Sequence, residues 1–134
     1  MLTLALLTTA LLFGGMVLYA FGFAAFLFTA LPAKTAGPTI RKAFPHFYFF
    51  VLVSAAVAAA LLWPHDRLAA VLLAAIAVTT IPTRQLLMPA INEATDTGAK
   101  RRFKWLHGLS VAITLGHIGL AGFVIARFAE GAVA

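Results

Sequence analysis

The sequence predicts an all-α, polytopic membrane protein, a bundle of four transmembrane helices, and three observations carry that prediction. Hydrophobic residues make up 63% of its 134 residues and charged residues only 10%, where a soluble domain carries about a quarter charged. The apolar residues fall into four long runs, more than one soluble core of this size can hide. Eight of the ten Lys and Arg lie in two short stretches, 34–42 and 84–104, each flanked by apolar runs. The length suits one domain, residues 1–134.

The first run, residues 2–31, contains no charged side chain. It has no early Lys or Arg and is about twice as long as a signal-peptide core, so it reads as a tilted transmembrane helix. Pro32 ends it. The second run opens after Phe44-Pro45 and spans about 46–63. Pro64, His65, Asp66 and Arg67 form a turn too short for anything but antiparallel neighbours. The third run, about 68–88, contains Pro82, which deletes a backbone donor and is expected to kink the helix. Arg84 follows near the interface, where its long side chain snorkels. A polar segment, 92–104, precedes the fourth run, about 105–128. Basic segments stay in the cytoplasm. Both termini and the His65 turn are therefore expected on the outer, periplasmic side of a bacterial inner (cytoplasmic) membrane.

The formal net charge of +6 does not point to nucleic acid, because no basic helical face or aromatic-interleaved basic strand is present. The absence of cysteine excludes disulfides, thiolate zinc sites, iron–sulfur clusters and cysteine nucleophiles. Asp66, Glu93, Asp96 and Glu130 are the only acidic residues. All fall outside the expected hydrocarbon, which argues against proton- or cation-coupled transport. Ser54 and Ser110 are the only serines, and neither sits on a nucleophile turn. Phosphate-loop and dinucleotide fingerprints are missing.

Helices in lipid associate through small residues and polar contacts. Thr8, Gly15, Gly22 and Thr29 recur at seven-residue spacing in the first run, and Gly108, Ala112, Gly119 and Gly122 form a small-residue face in the fourth. A second stripe there, His107, Ser110, Thr114, His117 and Ala121, alternates spacings of three and four and shares one face. His117 lies roughly 15 Å deeper than His107 along the helix. His46, opening the second span, is expected at the level of His107, with Arg84 and Asn92 near. These histidines read either as structural groups or as ligands of haem or a metal. The aromatic residues Phe44, Phe47, Tyr48, Phe49 and Phe50 read as an interfacial belt, or as a platform for a flat cofactor or isoprenoid lipid. Arg41, Lys42, Arg101, Arg102 and Lys104 are placed to attract anionic lipid headgroups.

Several local patterns recur together: Gly14-Gly15, then Arg41-Lys42-Ala43-Phe44-Pro45-His46-Phe47-Tyr48, Leu87-Met88-Pro89-Ala90-Ile91-Asn92 and Leu106-His107-Gly108-Leu109-Ser110. In this order, over nearly the whole chain, they resemble the four-helix family of transmembrane protein 205 and its bacterial relatives, a domain of unknown function. The resemblance implies that Phe44 and Pro45 open span two, Pro89 and Asn92 end span three, and His107 and Ser110 open span four. Thr114 stands where that family often has an amide. In architecture the chain is more distantly similar to copper-resistance-D membrane proteins and to the membrane-type, haem-binding protoporphyrinogen oxidase, although it lacks an early histidine in span one.

The leading expectation is a small inner-membrane scaffold or accessory subunit without catalysis of its own. It would bind membrane lipid and other membrane chains, or copies of itself. The alternative is a haem-, copper- or porphyrin-handling protein using His46, His107 and His117. A small oligomeric transporter comes third.

Overall fold

Each apolar run winds into one helix long and apolar enough to cross a membrane: α1 (Leu2–Ala30), α2 (Ala33–Leu62), α3 (Arg67–Asp96) and α4 (Lys100–Ala129). The computed structural model describes residues 1–133, and among them there is no strand. Helix is the form that satisfies every backbone donor and acceptor within one lipid-embedded segment. Only 17–39% of each span's apolar window is buried inside the bundle. Leu4, Leu7, Leu11, Phe26, Val78 and Leu115 point outward, as side chains solvated by acyl chains do.

The helices overrun the expected spans. The basic stretch 34–42, read from its prolines as a connection, is the opening of α2. Thr35 N and Ala36 N each donate to Pro32 O at 2.9 Å and start the helix. Pro38 and Pro45 lie inside it, and each removes one bond to the carbonyl four residues back. Those carbonyls belong to Lys34 and Arg41, close to the helix end, where water can replace the lost donor. The polar segment 92–104 is likewise mostly helical. Only Thr97, Gly98 and Ala99 separate α3 from α4. Gly98 turns the chain with φ +68°, and Ala99 N donates to Ala94 O at 2.9 Å, a left-handed glycine stop.

Two segments depart from α geometry. Leu18–Phe23 of α1 and Thr83–Leu87 of α3 are π-helical. The second follows Pro82 directly, so the deleted donor is absorbed by widening the helix locally.

The four helices close a ring in which each packs on its chain neighbours and α4 returns to α1. The α2–α3 seam is the most extensive. It is lined by Ala55, Ala58 and Ala59 against Ala69, Ala70 and Ala77, all buried, so the backbones approach closely. Leu12, Met16, Val51, Leu73, Ile76 and Val124 fill the middle with no more than 1% exposure. Leu2–Val17 of α1 packs on both α2 and α4, whereas Ala24–Ala30 packs on α2 without comparable packing on α4. From the π segment onward, α1 therefore leans away from α4.

Candidate functional site

At the basic end of the bundle, the divergence of α1 leaves a cavity of about 780 Å³ walled by all four helices, a size usual for small-molecule sites. From α1 it receives Ala20, Phe21, Ala24 and Phe28, which are apolar and without charge. From α2 it receives Lys34, Arg41 and Lys42 at the outer rim and Phe44 and Tyr48 below. α3 supplies Ile91, Asn92, Thr95 and Asp96, and α4 supplies Phe103, His107, Ser110, Val111 and Thr114. Three cations face one carboxylate at the rim. The antiparallel helix dipoles largely offset one another there, so the side chains decide the sign. It is positive.

Arg41 spans the rim. Its Nη2 donates to Asp96 Oδ1 at 2.9 Å and to Asn92 O at 3.3 Å, and its Nη1 to Asp96 Oδ2 at 3.3 Å. The two side chains are 39% and 62% exposed, so water screens the pair and it contributes at most about 1 kcal/mol to stability. Arg41 is thus held in place by a bond that another anion can replace at little cost.

Deeper in the cavity two hydroxyls lack partners. Tyr48 and Thr114 are only 7% and 8% exposed, yet among the described residues neither makes a side-chain hydrogen bond. Among the described residues no fully buried side-chain oxygen or nitrogen goes unpaired, so both hydroxyls open onto the cavity. Side chains on a helix lean toward its N-terminus, which for α2 and α4 is the basic end. The two hydroxyls accordingly lean toward the rim. Ser110 differs, because its Oγ donates to His107 O at 2.7 Å.

An aromatic cluster forms the α1–α2 wall. Tyr19 OH donates to Ala43 O at 2.8 Å, and its ring stacks on Phe47 with centroids 5.2 Å apart. Phe44 and Tyr48 extend the cluster. Phe47 and Tyr48 are buried, so this part of the aromatic run is an internal wedge. Phe49, 59% exposed, keeps the outward position that a belt requires.

The three candidate histidines are placed differently with respect to the cavity. His107 is exposed, lines the cavity and stacks on Phe103 with ring centroids 5.3 Å apart. His46 is exposed and lies outside the cavity wall. Arg84 sits on the α2–α3 seam, where its Nε donates to Pro45 O at 3.2 Å and its Nη1 to Gln85 Oε1 at 2.9 Å. His117 is buried beyond the cavity floor, with Nε2 2.8 Å from Thr79 Oγ1 of α3. Among the described residues no three His, Asp or Glu side chains gather where they could hold one metal ion.

The small residues divide in the same way. A Cβ on Gly15 would meet the Phe50 ring at 2.5 Å, and one on Gly122 would meet Phe13 at 3.2 Å, so both lie at close approaches. Gly22 has only Leu18 of its own helix nearby. Gly108, Ala112 and Gly119 are exposed, and a Cβ on either glycine would meet nothing within 4 Å. Of the residues set in family motifs, Phe44, Asn92, His107 and Ser110 line the cavity, while Pro45 and Pro89 do not. Arg101 and Arg102 flank a shallow depression with Trp105 at the start of α4, and Lys104 beside them is exposed.

Sequence reasoning missed the open hydroxyls of Tyr48 and Thr114 and the Arg41–Asp96 pair. Thr114 was visible as a member of the polar stripe, and Tyr48 only as one ring among several. A family model described as a domain of unknown function (DUF4149) matches residues 7–100. The match covers α1 to α3, and the α4 wall of the cavity lies beyond it. No curated protein and no solved structure matches the chain.

Proposed function

The chain belongs to the DUF4149 family, a domain of unknown function, and on that footing we propose that it is a membrane accessory protein. In this reading it catalyses nothing itself, binds anionic lipid at its basic end and associates with other membrane chains. The observation that carries the reading is the gathering of Lys34, Arg41, Lys42, Lys100, Arg101, Arg102 and Lys104 at one end of a four-span bundle. Each such cation near an anionic surface contributes about 1 kcal/mol of attraction. Trp105, 75% exposed beside them, is placed as an interfacial anchor. The basic end then faces the cytoplasm, both termini face outward, and the membrane is the inner membrane of a bacterium. The outward small-residue face Gly108, Ala112 and Gly119 is where a partner helix would approach.

The test is the lipid that accompanies the protein. Purified in mild detergent from a mixed-lipid membrane, the chain is expected to carry more anionic than zwitterionic lipid. Replacing Arg101, Arg102 and Lys104 with Gln should remove a large part of the excess. Lipid in the proportions of the membrane, unaltered by those changes, would end the reading.

A further inference from the structure

We propose that the cavity is a specific site for one anionic acyl lipid, distinct from the layer of lipid drawn to the basic surface. The inference rests on the lipid-binding reading above and names the guest and its seat.

Three features converge on that guest. The rim carries Lys34, Arg41 and Lys42 against Asp96 alone, so the guest's head is an anion. Arg41 holds its fork toward Asp96 by two contacts of 2.9 and 3.3 Å, and an arriving phosphate can take the same bidentate geometry. Below the rim stand the hydroxyls of two buried residues, Tyr48 and Thr114, which make no side-chain hydrogen bond and open onto the cavity. Facing the cavity, each keeps a donor to offer a guest. What both need is an acceptor, and an acyl ester offers carbonyl oxygens just below its headgroup. Along α4 the rise from His107 to Thr114 is roughly 10 Å, a depth that separates a head from the start of its chains. The third feature is the wall without polar groups: Phe21, Ala24 and Phe28 on the part of α1 that leans from α4. Chains leaving the cavity on that side pass directly into the bilayer, so a lipid can enter from within the membrane without crossing the rim.

In the occupied state the phosphate sits on Arg41 and Lys42, the ester carbonyls accept from Tyr48 and Thr114, and the chains run out past Phe21. A soluble phosphate ester would satisfy the rim and leave both hydroxyls bare. A zwitterionic lipid would satisfy the hydroxyls and set its own cation against the rim.

Native mass spectrometry of the whole chain in mild detergent tests this, with phosphatidylglycerol, phosphatidylcholine or glycerol phosphate added. One phosphatidylglycerol per chain is expected to stay bound, at least tenfold more tightly than phosphatidylcholine, with no comparable binding of glycerol phosphate. The double variant Tyr48→Phe/Thr114→Val keeps the shape and removes both hydroxyls, and is expected to lose at least tenfold in that affinity. Arg101→Gln/Arg102→Gln/Lys104→Gln is expected to keep it. A second variant, Ala24→Trp, fills the cavity from the lipid side, with thermal melts confirming that both cavity variants fold. Retention of phosphatidylglycerol in the folded cavity variants, with loss in the surface variant, would overturn the cavity site and leave surface lipid binding standing. Equal binding of phosphatidylcholine would overturn the anionic head, and equal binding of glycerol phosphate would overturn the acyl part. Loss in the cavity variants with an unbiased surface lipid layer would support the site and refute the surface reading.

Discussion

Arg127 Nε donates to Asp66 Oδ2 at 2.7 Å, and the same carboxylate caps α3 by accepting from Ala69 N at 3.1 Å. One side chain therefore ties the α2–α3 turn to the far end of α4, opposite the basic end. The Asp66 side chain is 5% exposed and that of Arg127 22%, so water screens this pair far less than Arg41–Asp96. The hydrogen bond from Arg127 is the largest influence on the Asp66 carboxyl and, outweighing the opposing effect of burial, holds it below the usual carboxylate range.

A carboxyl depressed in the folded state stabilises the fold above its unfolded value, near 3.9, and that contribution fades as pH falls through the lower folded value. The melting temperature in detergent is expected to drop as pH is taken below about 4, in part through Asp66. Asp66→Asn should cost about 1–3 kcal/mol at neutral pH by leaving Arg127 half-buried and unpaired. It should also flatten the acid limb of the stability curve. Wild-type and variant limbs of equal slope would show that Asp66 carries no such linkage.

Gly15 and Gly119 test the packing. A Cβ on Gly15 would sit 2.5 Å from Phe50 Cε1, whereas one on Gly119 meets nothing within 4 Å. Gly15→Leu is expected to lower stability by about 1–3 kcal/mol through overpacking. Gly119→Ala should be neutral or slightly stabilising in the isolated chain, because Ala is the better helix former by up to about 1 kcal/mol. Thermal melts decide it, and equal losses in the two variants would contradict the assigned faces.

The contacts of Thr79 predict the tautomer of His117. With the one Thr79 Oγ1 proton donated to Ala75 O, 2.7 Å away, the same oxygen is expected to accept from His117 Nε2–H, 2.8 Å away. Nitrogen-15 NMR of the imidazole should report a proton on Nε2, and His117→Leu should cost about 0.6–1.7 kcal/mol, the usual worth of a polar contact between helices in a membrane. A ring protonated on Nδ1 alone would rule out this bond.

The four spans were legible because length and hydropathy are nearly sufficient to specify a helix in lipid. Of the stripe His107, Ser110, Thr114, His117 and Ala121, the last four are buried, while His107 at its end is exposed. The opening of α2 was not legible, since Pro38 and Pro45 beside Lys34 and Lys42 read as a loop, while in the fold the missing donors fall near a hydrated helix end. The cavity left still less trace. It follows from the lean of α1 beyond a π segment, Leu18–Phe23, whose residues differ little from the apolar sequence on either side. The level expected for His46 and His107 came from counting along helices. Which way His46 turns depends on rotation about α2, which no count of residues supplies.

The central claim is a four-span bundle whose basic end lies in the cytoplasm and whose termini and Asp66 turn lie outside. Reporter fusions that score cytoplasmic or outer location, placed at residue 66 and at residue 98, measure it most directly. The account predicts an outer signal at 66 and a cytoplasmic signal at 98, because the cations of α2 and α4 cluster at the 98 end. Equal signals at the two positions, or the reverse assignment, would contradict it.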